Sequence, residues 1–145
     1  MIRRIALLSL CALAACGGSS PDPGGGAPAT NVYSGTVSVT GALAAGTTTC
    51  QGTAQVVTFK PAAAGADVHT VTVPGGGCVQ FVNADGAAHQ PAARTATVGC
   101  TALNAPAALA NGGSFTTGPL GAGSGPVSCD WIDALNPPGG GGGGY

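Results

Sequence analysis

Sulfur and imidazole carry most of the chemistry available to this 145-residue chain, which has six cysteines (Cys11, Cys16, Cys50, Cys78, Cys100 and Cys129) and two histidines, His69 and His89. Thiolate and imidazole together form a ligand set for a soft transition metal. In an oxidising compartment the same cysteines would instead pair as disulfides. The five acidic residues are all aspartates, and two of them, Asp130 and Asp133, flank Trp131, the only tryptophan. Carboxylates beside an indole suggest acid chemistry or a ring on which a sugar stacks. The plainer expectation is a solvated loop next to a core tryptophan, since an enzyme here would need a pocket that raises a carboxylate pKa and nothing in the sequence requires one. His69 reads as a surface histidine just ahead of an alternating run. Gly75-Gly76-Gly77 lacks the following helix and lysine of a phosphate loop, so it reads as a turn. No Ser-His-Asp spacing or metalloprotease motif stands out, and no enzyme is expected.

The elements that must position these residues are constrained by composition. Glycine contributes 27 residues and proline 11, while glutamate is absent. Helix formers other than alanine are scarce, which points away from a helical fold. At the N-terminus, Arg3 and Arg4 precede the apolar run Ile5 to Ala15 and then small residues, the plan of an export signal. As a helix, the run would rise only about 16 Å, against a hydrocarbon core of roughly 30 Å. Its end, Leu13-Ala14-Ala15-Cys16-Gly17, resembles the lipobox of bacterial lipoproteins, which implies a leader over 1–15, acylation of Cys16 and a membrane anchor there. Gly17 rather than aspartate after that cysteine favours the outer membrane under the sorting rule of enteric bacteria. The segment 16–30, rich in Gly, Ser and Pro, reads as a flexible spacer, and 139–145 as a disordered Gly-rich tail. Without the leader, Lys60 and Arg94 stand against five aspartates, a balance of about −3. That excludes the clustered basic footprint of nucleic-acid binding.

The foldable segment is therefore 31–138. Apolar residues alternate in Thr36–Val39, Gln55–Phe59, His69–Val73 and Cys78–Val82, the period of half-buried strands. Turn signals at Gly41, Pro61, Pro74–Gly77 and Asp85-Gly86 separate these runs, and further strands are expected around Ser114–Thr117 and Val127–Trp131. Thr101–Asn111 has the composition for a helical turn or two, interrupted by Pro106. About six to eight strands make an all-β sandwich or barrel.

The order of these elements resembles the cupredoxins. Val71-Thr72-Val73-Pro74, a glycine turn, and Val79-Gln80-Phe81-Val82-Asn83-Ala84-Asp85 leading to His89 are similar to the family's strand and its first copper-binding histidine. Leu109-Ala110-Asn111-Gly112-Gly113-Ser114-Phe115 is similar to the turn and strand after the long loop, and Cys129 to Pro137 occupies the place of the C-terminal ligand loop. The resemblance implies a Greek-key β-sandwich over roughly 55–138, with His89 as a copper ligand and Cys129 as the thiolate.

The implied ligand set is incomplete. No histidine and no methionine follow Cys129, and if the end is aligned on Leu135-Asn136-Pro137, Ile132 and Ala134 stand where two histidines would be. An exported chain with Cys11 in the leader and Cys16 acylated keeps Cys50, Cys78, Cys100 and Cys129, for which three connectivities exist. The cupredoxin-like fold implies Cys50–Cys78 with Cys100–Cys129, because it brings the loop after His89 near the last strand. The expectation is a lipid-anchored envelope protein with no cofactor, acting as a binding or structural module with an envelope partner. The alternative is a copper protein for electron transfer or copper handling, using His89 and Cys129 with help from His69 or an aspartate.

Overall fold

The computed structural model describes residues 31–60 and 67–139. Residues 1–30, with the expected leader, Cys16 and spacer, residues 61–66, with the expected turn at Pro61, and residues 140–145 lie outside them. Seven strands form: β1 (Tyr33–Thr40), β2 (Gln55–Phe59), β3 (Asp67–Pro74), β4 (Val79–Asn83), β5 (Pro91–Ala93), β6 (Ser114–Thr116) and β7 (Val127–Asp133). A four-stranded sheet in the order β3-β1-β7-β5 faces a three-stranded sheet in the order β2-β4-β6. Consecutive strands always lie in different sheets, so every connection crosses the sandwich. Two ladders are parallel, β1 with β3 and β2 with β4. The others are antiparallel, β7 with both β1 and β5, and β4 with β6.

Alternation in sequence becomes alternation in burial. In β1, Tyr33, Gly35, Val37 and Val39 point inward, and in β7 Cys129, Trp131 and Asp133 do so. Between the sheets, Trp131 meets the rings of Phe81 and Phe59 edge-on, with centroids 5.0 and 5.8 Å away. Rings of this size bury about 150–250 Å² each and prefer such tilted contacts. The polar runs of the sequence form the turns. One is closed by the Gly77 N–H donating to the Pro74 carbonyl at 2.8 Å, and it takes a φ of +82° at Gly76, where a side chain would be strained.

One element differs from expectation. β5 is absent from the sequence reading, because Pro91-Ala92-Ala93 has neither alternation nor β-branching; its ladder with β7 alone makes it a strand. The Ala- and Leu-containing stretch before Pro106 yields one 3-10 turn, Thr101–Leu103. Both cysteine pairs are disulfides, Cys50–Cys78 and Cys100–Cys129, with sequence separations of 28 and 29 residues. In the chain-entropy model, loops of that length are worth about 3–4 kcal/mol each.

Gly35 sets the packing at one end of the sandwich. It pairs with His69 on one side and Trp131 on the other, and these two rings lie nearly parallel, centroids 6.0 Å apart. A Cβ on Gly35 would run into the His69 carbonyl oxygen and stand 2.8 Å from Trp131 Nε1. Gly35→Ala is therefore expected to destabilise the domain by about 3 kcal/mol or more, whereas Gly123→Ala, with nothing within 4 Å of its Cβ, should stay within about 0.5 kcal/mol. Denaturant unfolding of the two variants side by side checks this.

Candidate functional site

The Asn-x-Asp stretch noted in the sequence builds the approach to His89. Asn83, at the end of β4, is fully buried. Its side-chain amide donates to the Ala87 carbonyl at 2.6 Å and the Leu109 carbonyl at 2.7 Å, and its Oδ1 accepts the Asp85 N–H at 2.9 Å. This local bonding folds the chain back after β4 and turns Asp85 toward His89. His89 in turn exchanges backbone hydrogen bonds with Leu109, its N–H donating at 3.1 Å and its carbonyl accepting at 2.7 Å.

The His89 ring is wholly buried and held from both ends. Nδ1 lies 2.7 Å from Asp133 Oδ2, and Nε2 lies 2.8 Å from Asp85 Oδ2. Carboxylate oxygens only accept hydrogen bonds, so the full pair of bonds belongs to the doubly protonated ring. Tyr33 closes the network: its hydroxyl donates to the Lys60 carbonyl oxygen, and Asp85 Oδ2 lies 2.9 Å from the same hydroxyl. Asn31 Nδ2 adds a hydrogen bond to Asp85 Oδ1 at 3.1 Å. The Tyr33 ring also stands edge-on to the His89 ring, 4.9 Å between centroids.

Asp133 is the most heavily bonded member. It accepts the Gln90 N–H at 2.9 Å, the Leu135 N–H at 3.1 Å and Asn136 Nδ2 at 2.9 Å, besides the His89 contact. Burial by itself pushes the carboxyl up, but the Gln90 N–H, His89, Asn136 and the Leu135 N–H together outweigh it and hold the group below its ordinary value near 3.8. A carboxylate taking this many donors is stabilised in its charged form.

The residues singled out from the sequence fall into three places. His89 is in the buried network, and Cys129 is bonded to Cys100 in the core. His69 is not a surface residue ahead of a strand: it lies within β3 and is half-buried, its ring stacked near those of Trp131 and Tyr33 at 6.0 and 6.3 Å. Nor do Asp130 and Asp133 form a solvated pair. Both lie on β7, three residues apart and so on opposite faces: Asp130 faces solvent and accepts a 2.8 Å hydrogen bond from Thr36 Oγ1, while Asp133 is buried. Trp131 is in the core, as expected. The sequence reading missed Asp85 and Asp133 as partners of His89. Extending the period of β7 by one inward position, from Cys129 and Trp131 to Asp133, would have placed a carboxylate in the core, where it needs a donor.

As arranged, these residues do not present a copper-ligand set. The Cys129 sulfur is held in a disulfide, and both nitrogens of His89 face carboxylate oxygens. Among the described residues no group of three or more His, Cys, Asp or Glu side chains is placed to hold a metal ion. The site is suited to holding chain segments together: His89 bridges the turn after β4 and the end of β7, and Asp85 carries the link on to Asn31 and Tyr33 at the start of β1. Compared with protein-family models, with curated proteins and with solved structures, the chain matches none.

Because the Asp133 carboxyl titrates below its unfolded value of about 3.9, the unfolded chain takes up a proton first as pH falls. The stability contributed by Asp133 is then fully present above that value and is lost as pH drops through the lower folded one. Urea unfolding between pH 6 and pH 2 is expected to show this loss, with a shallower acid limb in Asp133→Asn. At neutral pH, His89→Ala should cost about 3–5 kcal/mol, because it strands the buried Asp133 carboxylate, and Asp133→Asn should also destabilise, because the amide's NH2 cannot accept the hydrogen bonds that a carboxylate oxygen takes.

Proposed function

We propose that this chain is an envelope lipoprotein, anchored through Cys16 with the outer membrane favoured, whose cupredoxin-like sandwich works as a non-catalytic binding or structural module. One observation carries the reading: both donor groups that the cupredoxin resemblance assigns to copper, the Cys129 sulfur and the His89 imidazole, are used internally. Three further features support it. Two disulfides belong to an oxidising compartment outside the cytoplasm. The two-sheet all-β architecture and the Asn83-Ala84-Asp85…His89 order agree with a sandwich of that kind. The basic-then-apolar leader ending at Cys16 supplies the anchor, and acyl chains buried at about 0.8 kcal/mol per methylene hold a protein on a membrane.

Two measurements on the exported protein test this. After loading with Cu(I) or Cu(II) and desalting, copper is expected at the level of a buffer blank, with Cys129 unreactive toward thiol reagents until a reductant is added. Stoichiometric copper that disappears in His89→Ala would overturn the reading in favour of copper transfer or electron transfer. In cell fractionation, Cys16→Ser is expected to move the protein from the membrane to the soluble fraction; unchanged membrane retention would remove the lipid anchor from the proposal.

A further inference from the structure

We infer that the outer face of the four-stranded sheet carries a binding site for a hydroxylated carboxylate of monosaccharide size, a uronic acid being the case to test. A groove of about 260 Å³ opens on this face, lined by Ser34, Gly35, Thr36, Arg94, Asp130 and Trp131. It is smaller than the pockets of roughly 300–1,000 Å³ that enclose drug-sized ligands, and it is polar.

The strand register builds it. The Arg94 N–H donates to the Asp130 carbonyl at 2.8 Å, Asp130 stands opposite Thr36, and Thr36 stands opposite Thr70. One row across the sheet therefore runs cation, carboxylate, hydroxyl, hydroxyl. Arg94 and Lys60 are the only lysine or arginine residues between 31 and 138, so the groove holds one of the two permanent cations of that segment. Neighbouring opposite charges would ordinarily neutralise each other. Here Asp130 Oδ1 accepts from Thr36 Oγ1 at 2.8 Å, and among the described residues Arg94 and Asp130 do not form an ion pair. The planar donor fork of Arg94 is left for a ligand.

The charges select the ligand class. A guanidinium binds a carboxylate through two parallel hydrogen bonds. Asp130 keeps acceptor capacity for hydroxyl donors, the Ser34 hydroxyl both donates and accepts, and Thr36 Oγ1, its proton given to Asp130, still accepts. A sugar acid meets all three demands, with its single charge at the Arg94 end and neutral hydroxyls at the Asp130 end. A phosphate dianion would set its second charge beside Asp130, and a neutral sugar would leave Arg94 without a counter-ion. The groove lies on the face of β7 opposite the buried His89 network.

The site rests on the reading of the domain as a binding module, yet it is tested separately, since titration with sugar acids does not depend on the copper count. The experiment is an amide NMR titration of the exported, disulfide-bonded protein with glucuronate and galacturonate, against methyl glucoside and inorganic phosphate. Saturable shifts centred on 34–36, 93–94 and 130–131 are expected for the acids, weakened about tenfold or more in Arg94→Gln, less in Arg94→Lys, and unchanged in Lys60→Gln. Because Arg94 is exposed, its variants are expected to keep the wild-type spectrum elsewhere. No saturable shift with either acid, equal shifts with methyl glucoside or phosphate, or undiminished binding in Arg94→Gln would overturn the inference.

Discussion

A titratable ring buried between two carboxylates is the constraint around which one end of this domain is arranged. Taking an ionisable group out of water is unfavourable unless its hydrogen bonds are replaced, and His89 has both replaced, by Asp133 and Asp85. The two carboxylates are satisfied in turn, Asp133 by Gln90, Leu135 and Asn136, and Asp85 by Asn31. The partners come from the start of β1, the turn after β4 and the end of β7. The network thus closes only when both sheets are in register, and it rewards that one arrangement over other ways of burying the same apolar residues.

β7 shows how a period of two distributes tasks along a single strand. Its inward positions are Cys129, Trp131 and Asp133, which supply a covalent bond, the centre of the aromatic core and the anchor of the charged network. Asp130 lies between them on the other face, with Thr36 and the Arg94 main chain. A one-residue slip of β7 would exchange these sets, putting Asp130 in the core and Trp131 in water. The Cys100–Cys129 disulfide opposes such a slip.

The strands built on Val37, Val57, Val71 and Phe81 were legible because their alternation is strong and glycine or proline bounds them. β5 was not, since three residues carry no period and its existence depends on β7. The disulfide pairing was implied only by the resemblance to cupredoxins and could not be obtained from spacing alone. The site was half legible. His89 stood out by its rarity and by the Asn83 and Asp85 ahead of it, but aspartates look alike in sequence, and the separation of Asp130 from Asp133 appears only once β7 is known to continue through both. His69 was misplaced for a related reason: it lies within β3 rather than ahead of it, opposite a glycine that gives its ring and the indole of Trp131 room to lie parallel.

The pairing of β1 with β7 gives the domain a particular response to mechanical load. These strands are antiparallel neighbours, with Ser34 opposite Ile132, so the two chain ends leave the sandwich side by side. Tension that draws the ends apart would load the rungs in succession, as in unzipping, and would not shear the ladder all at once. The rungs of Ile132, Trp131 and Asp130 would open in turn until the force reached Cys129, opposite Val37. There the peel meets a covalent bond to Cys100, and the segment enclosed between the two cysteines, with β6 and the start of β7, is bypassed by the traction, while β1 to β5 stay on the load path.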